Sequence, residues 1–326
     1  MKTIISRWAA RGAVAMAACV TWAVSATAVA AFPDRPVRVV VPFGAGSSPD
    51  VVMRIVGQKL GERWGHQVVI ENRPGASGMI GAAAVSQAKP DGYTLVYTIN
   101  SVITINPHLY SKMSYDALNG FTPVSLVVNL GYLLLARRDL GFADVRAMLA
   151  HAKARPGVLT FSSAGVGSGN HMAMELLTGL AGVELLHVPI PAGSEKAVLG
   201  GQVDMVMSPY TTGVGLTQHE RMQALGSTLA GRSPQLPDVP SLGEIFPGYL
   251  AEAWHGLLAP AGTPADVVAK ISADVASVLK LPDVRERLLA ASLEPVASTP
   301  EAFERKIRED HEKWGAVIKR LGIKLD

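Results

Sequence analysis

Three loops carry most of the chemical potential of this chain: Gly44 to Asp50 (GAGSSPD), Asn72 to Gly78 (NRPGASG) and Ser162 to Asn170 (SSAGVGSGN). Each stands where a helix is expected to begin. The N–H groups at a helix start have no partner within the helix, and with the positive end of the helix dipole they bind anions without any cationic side chain. Ser47, Ser48, Ser163 and Ser168 add hydroxyl donors, and Gly44, Gly46 and Gly165 let the backbone approach a bound oxygen closely. Glycine and serine also build turns and caps; three such loops in one chain favour anion binding over that use. Asp50 has two readings, a cap of the following helix or a direct contact with a donor group of the ligand. His171 also has two, a donor to a carboxylate or a ring packed at a helix start.

Catalytic patterns are weaker. The eight histidines show no pair at one-turn helical spacing beside a carboxylate, so no zinc site is assigned. Gly165-Val166-Gly167-Ser168-Gly169 is out of phase with a nucleophile elbow. Gly44-Ala45-Gly46 begins like a dinucleotide fingerprint, but the third glycine is replaced by Pro49. No catalytic residue and no cofactor is therefore assigned. An exported hydrolase using Ser168 and His171 is the enzymatic alternative.

The elements that must position these loops alternate. Val37 to Val41, Val68 to Glu71, Thr94 to Thr98, Leu159 to Ser163, Leu185 to Pro189 and Val203 to Met207 read as buried strands. Asp50 to Trp64, Gly78 to Ala88 and Asn170 to Leu180 read as amphipathic helices. The pattern predicts an α/β fold with mostly parallel sheets, whose ligands sit at the carboxyl ends of the strands. Thr263-Pro264 and Thr299-Pro300 each place a capping hydroxyl before a first-turn proline, and the last helix shows a stripe of Phe303, Ile307, Trp314, Ile318 and Leu321.

Length, 326 residues, suggests about two domains. The formal charge of +3 belongs to the front of the chain. Residues 1–31 have a basic head with Lys2, Arg7 and Arg11, an apolar middle and small residues at Ala28, Ala30 and Ala31, the pattern of a secretory signal peptide cleaved near Ala30 or Ala31. Its loss leaves 27 basic and 27 acidic residues and removes Cys19, the single cysteine. The mature protein is then neutral and cysteine-free, which argues against nucleic-acid binding by net charge and against thiol chemistry. A periplasmic location is expected.

Long ordered stretches then carry a family resemblance: FPDRPVRVVVPFGAG, VVIENRPGASGMIGAAAVSQAKPDGYTL, HAKARPGVLTFSSAGVGSGNHMAMEL, RSPQLPDVPSLGE and WHGLLAPAGTP. The chain from Phe32 to Asp326 resembles the Bug-type extracytoplasmic solute receptors associated with tripartite tricarboxylate transporters. The resemblance implies a two-lobed periplasmic-binding-protein fold, of the Venus-flytrap type, with residues 32–128 plus 253–326 in one lobe, 129–252 in the other and the ligand between them. It implies a small organic acid as ligand, transporter subunits of the membrane as partners, and a monomer; a receptor feeding a membrane sensor kinase is the alternative output. The binding residues it implies are Phe43, Gly44, Gly46, Ser47, Ser48, Asp50, Asn100, Ser101, Ser163, Gly165, Ser168, His171, Ala192, Gly193 and Ser208. Two departures mark the chain: Ile190-Pro191-Ala192-Gly193-Ser194-Glu195-Lys196 stands where the family has Tyr-Lys-Gly and a slightly longer run, and Ser47-Ser48-Pro49 stands where glycines and threonine are usual.

Overall fold

The computed structural model describes residues 32–325; the leader, Cys19 and the expected cleavage site lie outside them. Arg35–Asp326 form one compact unit. In chain order it runs β1 (Val37–Val41), α1 (Ser48–Trp64), β2 (Val68–Asn72), α2 (Met79–Ser86), β3 (Thr94–Ile99), a π-turn (Ser101–Ile105), α3 (Asn106–Leu109), β4 (Phe121–Leu130) and β5 (Tyr132–Arg137). It continues with α4 (Val145–Ala154), β6 (Thr160–Ser163), α5 (Gly169–Ala181), β7 (Leu186–Pro189), α6 (Ser194–Leu199), β8 (Met205–Pro209), α7 (Tyr210–Leu216) and β9 (Met222–Ser227). It ends with α8 (Leu242–Ile245), β10 (Ala253–Pro260), α9 (Ala265–Leu279), α10 (Pro282–Ala290), β11 (Glu294–Pro295) and α11 (Pro300–Leu321).

Two sheets form, with strand orders β11-β4-β10-β3-β1-β2 and β7-β6-β8-β5-β9. They are mixed, which corrects the mostly parallel expectation. β1 runs parallel to β2 and β3, and β6 parallel to β7 and β8. β10 is antiparallel to β3 and β4, and β5 is antiparallel to β8 and β9. The cause is connectivity: β5 follows β4 directly through Gly131, and β10 re-enters the first sheet from β9 of the second, so neither strand closes a strand–helix–strand crossover within its own sheet. The strand pattern misses β4, β5, β9 and β10, in β4 and β10 for local reasons. β4 contains Pro123, and β10 carries His255 and Gly256 in its middle. Gly256 is there because a Cβ would fall on the Phe303 ring.

Two chain crossings join the sheets, at Gly131 and through Thr228 to Glu252. They are sewn together where the Tyr132 N–H donates to Thr228 Oγ1 and the Thr228 N–H to the Tyr132 carbonyl, each at 2.9 Å. α11 forms a third link. Its first half puts Phe303 and Ile307 against Trp254 and Leu258 of the first sheet; its second half puts Trp314, Val317 and Ile318 among Phe161, Met172 and Met207 of the second. Each such buried side chain contributes about 1.5–3 kcal/mol. Between the two halves lies Asp310, 1% exposed. It accepts from Trp254 Nε1 at 2.8 Å, Lys306 Nζ at 3.1 Å and Lys313 Nζ at 2.7 Å, and Lys313 Nζ also donates to the Leu250 carbonyl in the second crossing at 2.8 Å. The Thr299 hydroxyl caps α11 through the Ala302 N–H at 3.2 Å as expected, whereas Thr263 does not cap α9 and donates to the Pro260 carbonyl instead.

Candidate functional site

Register fixes where the loops lie. The carboxyl ends of β1, β3 and β4 and the start of β10 share one edge of the first sheet, because His255 is paired with Ile99 and Ala253 with Leu130. The carboxyl ends of β6, β7, β8 and β9 and the start of β5 share one edge of the second, because Tyr132 is paired with Pro209, Leu133 with Ser227 and Ser163 with Pro189. The chain crosses between the sheets at these two edges, so the loops on them face one cleft. The first edge carries Phe43, Gly44, Gly46, Ser47, Ser48, Asn100 and Ser101; the second carries Ser163, Gly165, Ser168, Ala192, Gly193 and Ser208. The loops touch where Gly167 abuts Leu109, the last residue of α3.

On the first edge Asp50 organises the loop without capping or contacting anything in the cleft. It is 2% exposed. Its Oδ2 accepts from the Gly46 N–H at 2.8 Å and Arg54 Nε at 3.0 Å, and its Oδ1 from Asn72 Nδ2 at 2.9 Å. Burial opposes its ionisation, but these donors prevail and hold the carboxyl below its usual range. Asn72 Nδ2 also donates to the Phe43 carbonyl at 3.0 Å. Asp50 thus replaces Ser47, whose side chain makes no cap bond, as the anchor of this helix start. Among the described residues the N–H groups of Gly44, Ala45 and Ser48 have no partner, and all three residues are exposed. We expect Asp50→Asn, which keeps the shape and loses the charge opposite Arg54, to weaken binding of the cleft ligand about tenfold or more; the check is titration calorimetry at matched folded fraction.

Beside it, Asn100 is 3% exposed and opens the π-turn, whose widened turn is a frequent mark of functional sites. Thr104 Oγ1 donates to the Asn100 carbonyl at 2.9 Å. Ser101 follows, half-buried.

On the second edge the glycine loop spends much of its donor capacity on itself. Gly165 N–H donates to Ser163 Oγ at 3.1 Å, Gly167 N–H to His171 Nδ1 at 3.0 Å and Ser168 N–H to the Gly165 carbonyl at 3.1 Å. Val166, Gly169 and Asn170 keep N–H groups without a partner among the described residues. Ser168 Oγ bonds the Gly165 carbonyl at 2.6 Å and Asn170 Oδ1 at 2.7 Å, so it does not meet His171 and no Ser168–His171 couple exists. The ring of His171 packs, resolving its two readings: it lies 3.9 Å from His187, nearly parallel, with Phe161 stacked beyond. His187 Nε2 meets Ser163 Oγ at 2.6 Å. Burial pushes His171 down to about 3 and His187 to about 4, so both are neutral at pH 7. Ser208 is fully buried and donates to Glu195 Oε1 at 2.9 Å, so its hydroxyl proton is already taken. Sequence reasoning missed Asn72, His187 and Glu195. A histidine within the strand LHVP was a usable signal; the partners of Asn72 and Glu195 are set by tertiary contact alone.

A third buried histidine gives the pH dependence. His255, 2% exposed and edge-on to Tyr97, is pushed down to about 3 by burial. The native state keeps it neutral while the unfolded chain protonates near pH 6.5, so its contribution is present above pH 6.5 and is lost as pH falls toward 3, at about 1.4 kcal/mol per pH unit. Glu175 and Glu252, raised by burial, work in the opposite direction. The difference in unfolding free energy between wild type and His255→Phe, measured by urea at pH 6.5 and pH 5, is therefore expected to change by roughly 1–2 kcal/mol; a difference independent of pH would refute it.

The family model described as tripartite tricarboxylate transporter family receptor matches residues 52–323. A Pseudomonas sp. (strain P51) protein of the tcbD–tcbE intergenic region is 37% identical over 294 residues, 88% of this chain and 87% of its own. A Rhodopseudomonas palustris protein solved with adipate superposes with TM-score 0.76 at 30% identity, covering 90% of this chain and 99% of the other. MatC of the same species, with bound malate, gives TM-score 0.72 at 32% identity, covering 88% and 100%. The shared architecture is the two-lobed fold of periplasmic binding proteins.

Proposed function

The chain belongs to the tripartite tricarboxylate transporter receptor family, and from that premise we propose that it is an exported solute receptor, not an enzyme, that captures a small organic carboxylate between its lobes and delivers it to a membrane transporter. The lobes on this reading are residues 32–128 with 253–326, and 129–252, each bringing one loop-bearing sheet edge to the cleft. One observation carries it: exposed, unpartnered N–H groups of Gly44, Ala45 and Ser48 stand at the start of the long helix α1, locked in place by buried Asp50. Donors of this kind suit a carboxylate and cost no reorganisation when it arrives. Relatives holding adipate and malate support a carboxylate of small size. Periplasmic location and monomeric action follow from the same reading.

The test is a thermal-shift screen of organic acids on protein stripped of carried ligand. At a hundred times its Kd the right acid stabilises the native state by about 2.7 kcal/mol, a shift of several degrees. A broad acid panel that leaves Tm unmoved sinks the reading.

A further inference from the structure

The cleft edge of the second sheet carries a carboxylate that stands apart. Glu195 is the second residue of α6, on the segment that departs from the family pattern. Its Oε1 accepts the hydroxyl of fully buried Ser208 at 2.9 Å, which fixes the carboxylate at the end of β8. Ser162 Oγ, donating to the Ser194 carbonyl at 3.2 Å, ties the same helix start to the end of β6. Glu195 is half-buried. With one exception, every other buried or half-buried carboxylate among the described residues has an arginine or lysine partner at 2.6–3.7 Å. The exception, Glu252, has both oxygens occupied, by Asn129 Nδ2 and the Ala230 N–H. Glu195 has no cation, and among the described residues its Oε2 has no donor.

A carboxylate so held, at the cleft edge of the second sheet, presents an acceptor to whatever enters the cleft. Arg54, on the helix that follows the first loop, is already spent on Asp50 and Asn72. We propose that Glu195 is a specificity-determining residue that accepts a hydrogen bond from the ligand, so that the preferred ligands are small carboxylates bearing a donor group, bound tightest when that donor is an ammonium. The proposal rests on the carboxylate-receptor reading and sharpens it. The backbone donors of the first loop take the ligand's carboxylate; Glu195 takes the donor across the cleft. A charge-assisted bond is about twice as strong as a neutral one, which ranks ammonium above hydroxyl. A second carboxylate directed at the same place meets like charge in a partly desolvated setting and is disfavoured.

The experiment is calorimetric binding of matched acids on three-, four- and five-carbon skeletons, carrying hydrogen, hydroxyl or ammonium at carbon 2, to the ligand-stripped protein and to Glu195→Gln and Ser208→Ala. The expected result is that wild type prefers the ammonium member of the best skeleton over the unsubstituted one by about tenfold or more. Glu195→Gln, which keeps an acceptor for Ser208, loses that preference while its affinity for the unsubstituted acid stays within about threefold. Ser208→Ala, which keeps the charge but frees its position, loses part of it. A wild-type preference for the unsubstituted acid, or an unchanged ratio in folded Glu195→Gln, overturns the proposal and leaves the receptor reading standing. Binding of no acid at all overturns both.

Discussion

Alanine at position 310 is expected to lower the free energy of unfolding by about 3–5 kcal/mol, because removing one partner of a buried ionic cluster leaves the other charges uncompensated. Asp310 is the shared acceptor for Trp254 Nε1, Lys306 and Lys313, and is 1% exposed. Lys313 depends on it most: burial already depresses this ammonium, and Asp310 at 2.7 Å is what sustains its charge. Without the carboxylate, Lys313 keeps the Leu250 carbonyl but loses its counter-charge, and the indole N–H of Trp254 is left unpaired in the first core. Asp310→Asn retains one acceptor and is expected to fall between wild type and alanine. Urea unfolding decides the matter: a lower midpoint at unchanged slope is the predicted signature. A loss below about 1 kcal/mol would show that the cluster is dispensable.

The second large effect is expected from Gly167→Ala. Gly167 sits at φ +77°, where an L side chain costs about 1–2 kcal/mol, and a Cβ there would fall on Cδ1 of Leu109, itself buried in the core. Overpacking adds about 1–3 kcal/mol. The shift would also pull the Gly167 N–H off His171 and move the loop that carries Ser163 and Gly165. A stability loss of about 2–5 kcal/mol and a fall in ligand affinity are expected together, read by urea unfolding and calorimetry. Gly165→Ala is the control. It has φ +131° but nothing within 4 Å of the added Cβ, so it carries strain without the clash and is expected to cost less.

Much of this site was legible before any coordinates, and the limits are instructive. β1, β3, β6 and β8 announce themselves as apolar runs because both their faces are covered; β2 and β7 keep the run although they are partly exposed edge strands, with Val69 and Leu186 open to solvent. The loops after β1, β2 and β6 are marked by glycine and serine. That sufficed to place these loops at the carboxyl ends of their strands. β4 and β10 escape because Pro123 and Gly256 break the local pattern, and in β10 a distant partner, the Phe303 ring, requires the glycine. Roles within the loops were harder still. Asp50 looks like a cap from its spacing, yet its partners are Gly46, Arg54 and Asn72, the last of which lies on another strand. Ser163 finds His187 and Ser208 finds Glu195 across strands, at separations no short-range pattern reports.

The placement of α11 has a consequence for how the protein is made. The second sheet is built from one continuous stretch, β5 to β9, and would look like an autonomous folding unit. Its core, however, includes Trp314, Val317 and Ile318 of α11, which follow β9 in the chain only after the whole of β10, α9 and α10. A nascent chain that has already emitted every strand of that sheet still exposes an unfilled apolar face, so neither core is complete until α11 has been made. Deleting α11 is therefore expected to unsettle both sheets together, although every strand of the second precedes it in the chain.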